Sequence, residues 1–91
     1  MSTQKIALVT GAGSGIGKGC ATALLNDGWQ VVFTGRRVEA LQAAIADAGE
    51  AGSCGVAIGC DVSQEASVAA LFAQIRQRFG RLDLLFNNAG V

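Results

Sequence analysis

Five glycines fall within the ten residues TGAGSGIGKG, Thr10 to Gly19, directly after the apolar run IALV. Glycine weakens helix and strand interiors, but it lets a turn bring its backbone close to a ligand. Between a strand and a helix, such a turn gathers backbone N–H groups and the positive end of the helix dipole at one place. Because that combination favours an anion, we predict that this turn binds phosphate or pyrophosphate.

The spacing of these glycines separates different classes of nucleotide site. A P-loop needs GxxxxGK followed by Ser or Thr; here Ala12 stands where its first glycine belongs, and Gly19 stands where the hydroxyl residue belongs. The GxGxxG fingerprint fails too, because Ile16 occupies the place of its last glycine. The pattern that fits is GxxxGxG from Gly11 to Gly17, with Thr10 in front.

The elements that must position this turn alternate between short apolar runs and helical patterns. Strands are predicted at Lys5–Thr10, Gln30–Thr34, within Gly55–Val62 and at Arg81–Asn87, and helices from about Gly15 to Asp27, near Val38–Ala48 and from Ser63 to Gly80. Strands separated by helices give βαβ units and a parallel sheet. We therefore predict one doubly wound α/β domain over residues 1–91, with strand order 3-2-1-4.

The third helix has the clearest pattern. Its apolar residues recur on one face, at Val68, Leu71, Phe72, Ile75 and Phe79. Ser63 is expected to cap its N-terminus.

The composition excludes several classes of protein. Of 91 residues, 51% are apolar and 15% are charged, as in a folded globular domain. The formal net charge of zero gives no indication of nucleic acid or of an anionic membrane surface. Cys20, Cys54 and Cys60 lack CxxC spacing, so we expect small core residues and no metal site. No apolar run approaches the roughly 18 residues that span a bilayer, and we expect a cytoplasmic protein.

Three motifs in chain order closely resemble the short-chain dehydrogenase/reductase family: TGxxxGIG from Thr10 to Gly17, DV at Asp61-Val62 and NNAG at Asn87–Gly90. The resemblance implies a Rossmann-like sheet, incomplete here, that binds a nicotinamide dinucleotide. It places Asp61 near the adenine ring and the NNAG backbone along the adenosine. The implied binding residues are Gly11, Ser14, Gly15, Ile16, Arg36, Arg37, Asp61, Val62, Asn88, Ala89 and Gly90.

The end of the second strand indicates which dinucleotide binds. NAD-preferring relatives usually carry an acidic residue where this chain has Gly35, and Arg36 and Arg37 follow. A guanidinium can bind a 2′-phosphate with two parallel hydrogen bonds, whereas a carboxylate repels it. By resemblance, Arg36 reads the phosphate, Arg37 assists or stacks on the adenine, and NADP is expected in preference to NAD. Many NADP-preferring relatives have a basic residue at the position of Ser14, whose hydroxyl can still bond a phosphate oxygen.

Each motif also has a purely structural interpretation. Gly11 and Gly15 would then serve close packing of strand on helix, and Asp61 would be a polar strand end. The two arginines would be a solvated helix start, and Asn87 and Asn88 ordinary turn residues. Lys18 is interpreted as a solvated helix residue and not as a phosphate ligand.

The family transfers hydride between nicotinamide and a carbonyl or alcohol carbon, using a serine, an asparagine and a YxxxK pair that follow the NNAG loop. This chain has no tyrosine and no histidine. We therefore expect no catalytic residue within 1–91, and no activity from this stretch alone. The resemblance implies the N-terminal part of an NADP-dependent oxidoreductase whose parent is a homo-oligomer acting on a small molecule. The alternative is a stand-alone, non-catalytic dinucleotide-binding or regulatory module.

Overall fold

Parallel strands alternate with helices in the computed structural model, which describes residues 4–13, 15–61 and 63–87. The strands are β1 (Ile6–Thr10), β2 (Gln30–Gly35), β3 (Gly55–Gly59) and β4 (Leu84–Phe86). The α-helices are α1 (Gly15–Asn26), α2 (Val38–Asp47) and α3 (Glu65–Phe79). A 3-10 helix at Gly49–Cys54 leads into β3.

The described strands form a parallel sheet in the order β3-β2-β1-β4, as the sequence predicts. In register, Ala7 of β1 lies between Val31 of β2 and Leu84 of β4. Strands β2 and β3 are added in turn on one side of β1, and β4 then pairs with the other side of β1. Among the strands that the structure describes, β4 therefore lies at an edge of the sheet.

Side chains alternate across the strands, so each face of the sheet carries its own core. One core joins the sheet to α1 and α2, with Val9 and Phe33 against Leu25 and Leu41. The other joins the sheet to α3 and contains Leu8, Val32, Ile58, Cys60, Leu71 and Ile75. Burial on both faces explains why the strands are apolar runs without polar alternation.

The apolar stripe of α3 is only partly buried. Leu71 and Ile75 are in the core, and Val68 and Phe79 pack against it. Phe72 is 40% exposed, and Leu84 and Leu85 of β4 are 38% and 48% exposed. This face of the sheet is therefore incompletely covered within the described residues.

The expected N-cap of α3 is wrong. The capping residue is Gln64, without a side-chain capping bond. The Ser63 hydroxyl instead donates to the Asp61 carboxylate at 2.6 Å. The hydroxyl hydrogen of Ser63 is bonded to this charged acceptor two residues away, and Ser63 itself precedes the cap position that Gln64 occupies.

The prediction for the cysteines holds most fully for Cys60, which is buried in the core beneath α3. Cys54 is partly buried and packs against the opposite core, and Cys20 is also partly buried. Within residues 4–13, 15–61 and 63–87, no group of three or more His, Cys, Asp or Glu side chains could hold a metal ion. Over the same residues, the helices lack the combined length and apolar character that crossing a bilayer demands.

Candidate functional site at the carboxyl edge of the sheet

The carboxyl ends of β1, β2 and β3 are bonded to one another beyond the strands themselves. The Ala12 N–H donates to the Thr34 carbonyl at 3.3 Å, which ties the glycine turn to the end of β2. The Cys60 N–H donates to the Gly35 carbonyl at 2.9 Å, which ties the end of β3 to the same strand. The glycine turn, the Arg36–Arg37 segment and Asp61 therefore lie in a row along one edge, where ligands of open α/β sheets bind.

The glycines of the turn have different structural roles. Gly11 and Gly15 have positive φ angles of 63° and 60°, which other residues adopt at a cost. A Cβ at Gly15 would have no atom within 4 Å, so the space above the first residue of α1 is open. Gly13 differs, because a Cβ there would lie 3.0 Å from the Cβ of Ala40 on α2. Gly17 is buried in α1.

Beside Gly15, Ile16 presents an apolar side chain that is 76% exposed. The first turn of α1 contains no acidic residue. With no carboxylate in this turn, the N–H groups and the dipole of α1 favour a bound anion at this end of the helix. Ser14 lies outside the described residues.

Lys18 does not contribute its charge to the turn. Its Nζ lies 2.7 Å from the Asp47 carboxylate at the C-terminal end of α2. This agrees with its interpretation as a helix residue and not a phosphate ligand.

Arg36 and Arg37 follow β2 directly and are both exposed. Arg37 is the N-cap of α2; its backbone carbonyl accepts from the Ala40 and Leu41 N–H groups at 3.1 and 3.2 Å. Within the part of the chain that the structure describes, neither guanidinium forms an ion pair. The backbone of this segment is thus fixed, while both charges face solvent.

Asp61 is held by Ser63. Its Oδ1 accepts from the Ser63 hydroxyl at 2.6 Å and from the Ser63 N–H at 3.0 Å. These two bonds, and to a smaller extent the nearby Arg36 charge, keep the pKa of Asp61 below its usual value, although burial acts in the opposite direction. The carboxylate is therefore ionised at neutral pH and acts only as an acceptor. Val62 lies outside the described residues.

The end of β4 joins the same edge through Thr10. The Thr10 hydroxyl lies 3.1 Å from Asn87 Oδ1 and 3.4 Å from the Phe86 carbonyl. The first residue of the NNAG motif is thus adjacent to the end of β1. Asn88, Ala89 and Gly90 lie outside the described residues.

The structure brings together the predicted residues that it describes, namely Gly11, Gly15, Ile16, Arg36, Arg37 and Asp61. Sequence reasoning missed Ser67, whose hydroxyl accepts the Asp61 N–H at 3.0 Å. A serine in the first turn of a helix is too common to single out. In the sequence, only the spacing of six residues between Ser67 and Asp61 could have indicated their contact.

The family model described as short chain dehydrogenase matches residues 5–91. A 3beta-hydroxysteroid dehydrogenase of Mediterraneibacter gnavus is 47% identical over 88 residues, which cover 97% of this chain and 32% of that protein. The chain therefore spans about a third of the length of that curated relative.

Two solved structures show the same arrangement. A metagenomic short-chain oxidoreductase in complex with NADP has a TM-score of 0.90 and 40% identity, covering 96% of this chain and 39% of that one. A 3-ketoacyl-(acyl-carrier-protein) reductase of Brucella melitensis, complexed with NADH, has a TM-score of 0.79 and 35% identity, covering 92% of this chain and 34% of that one. Similar structures thus hold either the dinucleotide with a 2′-phosphate, NADP, or the one without it, NADH.

Proposed function

The chain belongs to the short-chain dehydrogenase family, and we propose that it forms the adenosine- and pyrophosphate-binding part of an NADP-dependent oxidoreductase. One observation carries this proposal. The open space above Gly15, the solvent-facing charge of Arg36 and the ionised carboxylate of Asp61 lie along one edge of the sheet, at the ends of β1, β2 and β3.

Each of these groups suits a different part of the cofactor. The pyrophosphate would lie over Gly15, where the N–H groups and dipole of α1 favour negative charge. The 2′-phosphate would lie at Arg36, with Arg37 beside it. The adenine would lie along Asp61-Val62 and the Asn88–Gly90 backbone, with Ser14 at a phosphate oxygen. The bound cofactor supplies hydride chemistry at its nicotinamide.

The preference for NADP is supported by charge. Gly35 supplies no carboxylate at the end of β2, and Arg36 and Arg37 lie beside it without ion-pair partners in the described ranges. A phosphate dianion would gain charge-assisted hydrogen bonds there. The ribose hydroxyls of NAD would find no acidic acceptor from β2.

The reaction proposed for the whole protein is hydride transfer between nicotinamide and a carbonyl or alcohol carbon of a small molecule. Residues 1–91 contribute cofactor binding, and proton transfer falls to residues outside this stretch. We also propose that the parent is a cytoplasmic homo-oligomer. Residues 1–91 alone should be inactive. They should also associate, because Phe72 and Leu85 are exposed around a cavity of about 240 Å³ beside β4.

The test is competition by an adenosine fragment. In the purified protein, 2′,5′-ADP should displace NADPH, because the groups assigned here contact the adenosine, its 2′-phosphate and the adjoining pyrophosphate. Nicotinamide mononucleotide should not displace it. If nicotinamide mononucleotide displaced NADPH and 2′,5′-ADP did not, the proposed placement would be wrong.

A further inference from the structure

Ser67 lies in the first turn of α3 and makes two contacts with the segment that ends β3. Its hydroxyl oxygen accepts the Asp61 N–H at 3.0 Å. The same hydroxyl donates toward the Cys60 Sγ at 3.5 Å. Ser67 is partly buried, and Cys60 is 4% exposed, so these bonds are largely shielded from water.

The backbone around Asp61 is therefore fixed from two directions. On the β2 side, the Cys60 N–H is bonded to the Gly35 carbonyl at 2.9 Å. On the α3 side, the next N–H along the chain, that of Asp61, is bonded to Ser67. Consecutive amides bonded to a strand and to a helix leave the Asp61 Cα little freedom to move relative to either element.

The Asp61 side chain is oriented separately from its backbone. Both bonds from Ser63 end on Oδ1, and an ionised carboxylate has acceptor sites for about four hydrogen bonds. The carboxylate thus retains acceptor capacity while its position is set by two serines, one acting on the backbone and one on the side chain.

We propose that Ser67 is a positioning residue that, by fixing the Asp61 backbone, makes the site select a base carrying an exocyclic amino donor. The proposal rests on the proposed function, which places the adenine next to Asp61. Adenine presents an amino donor at C6, and hypoxanthine presents a carbonyl acceptor there. An ionised carboxylate attracts the former and repels the latter, but only when it is held close to that edge of the base.

Two dinucleotides test this: NADPH and its analogue with hypoxanthine in place of adenine. Dissociation constants for both are measured by calorimetry on the purified protein and on Asp61→Ala, Ser67→Ala, Ser67→Thr and the distant control Ser53→Ala. The unaltered protein should prefer NADPH on the order of tenfold. The ratio of the dissociation constant of the hypoxanthine analogue to that of NADPH should fall in Ser67→Ala toward its value in Asp61→Ala. Ser67→Thr and Ser53→Ala should keep the ratio of the unaltered protein.

A purely structural role for Ser67 would weaken both ligands equally and leave the ratio unchanged. That result, together with a ratio abolished by Asp61→Ala, would overturn the role of Ser67 and leave the proposed function standing. A ratio unaffected by Asp61→Ala would overturn the assigned base contact and the role of Ser67 with it. If the unaltered protein bound neither dinucleotide, the proposed function would fail first. Retention of the ratio by Ser67→Thr, which restores the hydroxyl, separates the hydrogen bond from general damage to the fold.

Discussion

Gly13 of the glycine turn and Ala40 of α2 approach so closely that a Cβ on the glycine would lie 3.0 Å from the alanine Cβ. The contact joins the turn after β1 to the helix that follows Arg36 and Arg37. The position of the arginine segment relative to the turn therefore depends on the missing side chain of Gly13 and the small side chain of Ala40.

Gly13→Ala should destabilise the protein by about 1–2 kcal/mol, because the added methyl overpacks this contact. Ala40→Gly should relieve the overpacking, so the double variant should be more stable than the two single effects predict when added. Urea unfolding of all four proteins measures this coupling. Strict additivity would show that the two residues do not contact each other in solution.

Gly15 and Gly49 provide a matched pair for the pyrophosphate site. Both have positive φ, 60° and 67°, and a Cβ at either would meet no atom within 4 Å. Alanine at either position should cost about 1 kcal/mol of stability through backbone strain. Only Gly15→Ala should weaken NADPH binding, by more than tenfold, because only its methyl would enter the space assigned to the pyrophosphate; Gly15→Val should abolish binding.

Calorimetric titration of the two alanine variants with NADPH makes the comparison, with thermal unfolding as the control for strain. Equal loss of affinity in both would mean that Gly15 acts through the fold alone.

Acid should weaken the junction between β1 and β4 through Asp83. Its carboxylate accepts from Arg81 at 2.6 Å and from the Ile6 N–H at 2.8 Å, and these bonds hold the pKa of Asp83 below its usual value. A lowered pKa in the folded state stabilises the protein above the unfolded pKa, and that contribution is lost as pH falls through the folded value. Asp83→Asn should therefore be less stable than the unaltered protein at pH 7, and the difference should shrink as the pH falls below the usual range of a carboxyl.

Unfolding at a series of pH values for both proteins measures that difference. A difference that stays constant from pH 7 to pH 3 would contradict the assigned hydrogen bonds.

Gly35→Asp should shift the preference toward NAD. A Cβ at Gly35 would lie 3.5 Å from Leu41 Cδ2, an ordinary contact, so the fold should accept the change. The new carboxylate would repel a 2′-phosphate and accept from ribose hydroxyls. Dissociation constants for NADP and NAD should move in opposite directions; a parallel weakening of both would indicate damage to the end of β2.

Sequence reasoning predicted the strand order and the helix starts at Gly15 and Val38, because apolar runs and glycine stops are local signals. The third strand lies within the predicted stretch Gly55–Val62. The fourth strand was predicted too long, because only Leu84–Phe86 of Arg81–Asn87 pair with β1. It assigned no element to Gly49–Cys54, whose 3-10 turn packs Gly52 against the Ile45 backbone. The Asp61–Ser63 bonds, found where a cap was expected, and the bond from the Asp61 N–H to Ser67 depend on how β3 and α3 pack against each other, which no spacing rule expresses.

Arg36 is proposed to bind the 2′-phosphate of NADP at the edge formed by β1, β2 and β3. The measurement is the pair of dissociation constants for NADP and NAD on the purified protein and on Arg36→Ala, with the exposed helix residue Arg78→Ala as the control for lost charge. Arg36→Ala should weaken NADP binding on the order of 10–100-fold and leave NAD binding nearly unchanged. Arg78→Ala should leave the affinities for both dinucleotides nearly unchanged. Equal losses for NADP and NAD in Arg36→Ala, or no loss for either, would contradict this role of Arg36.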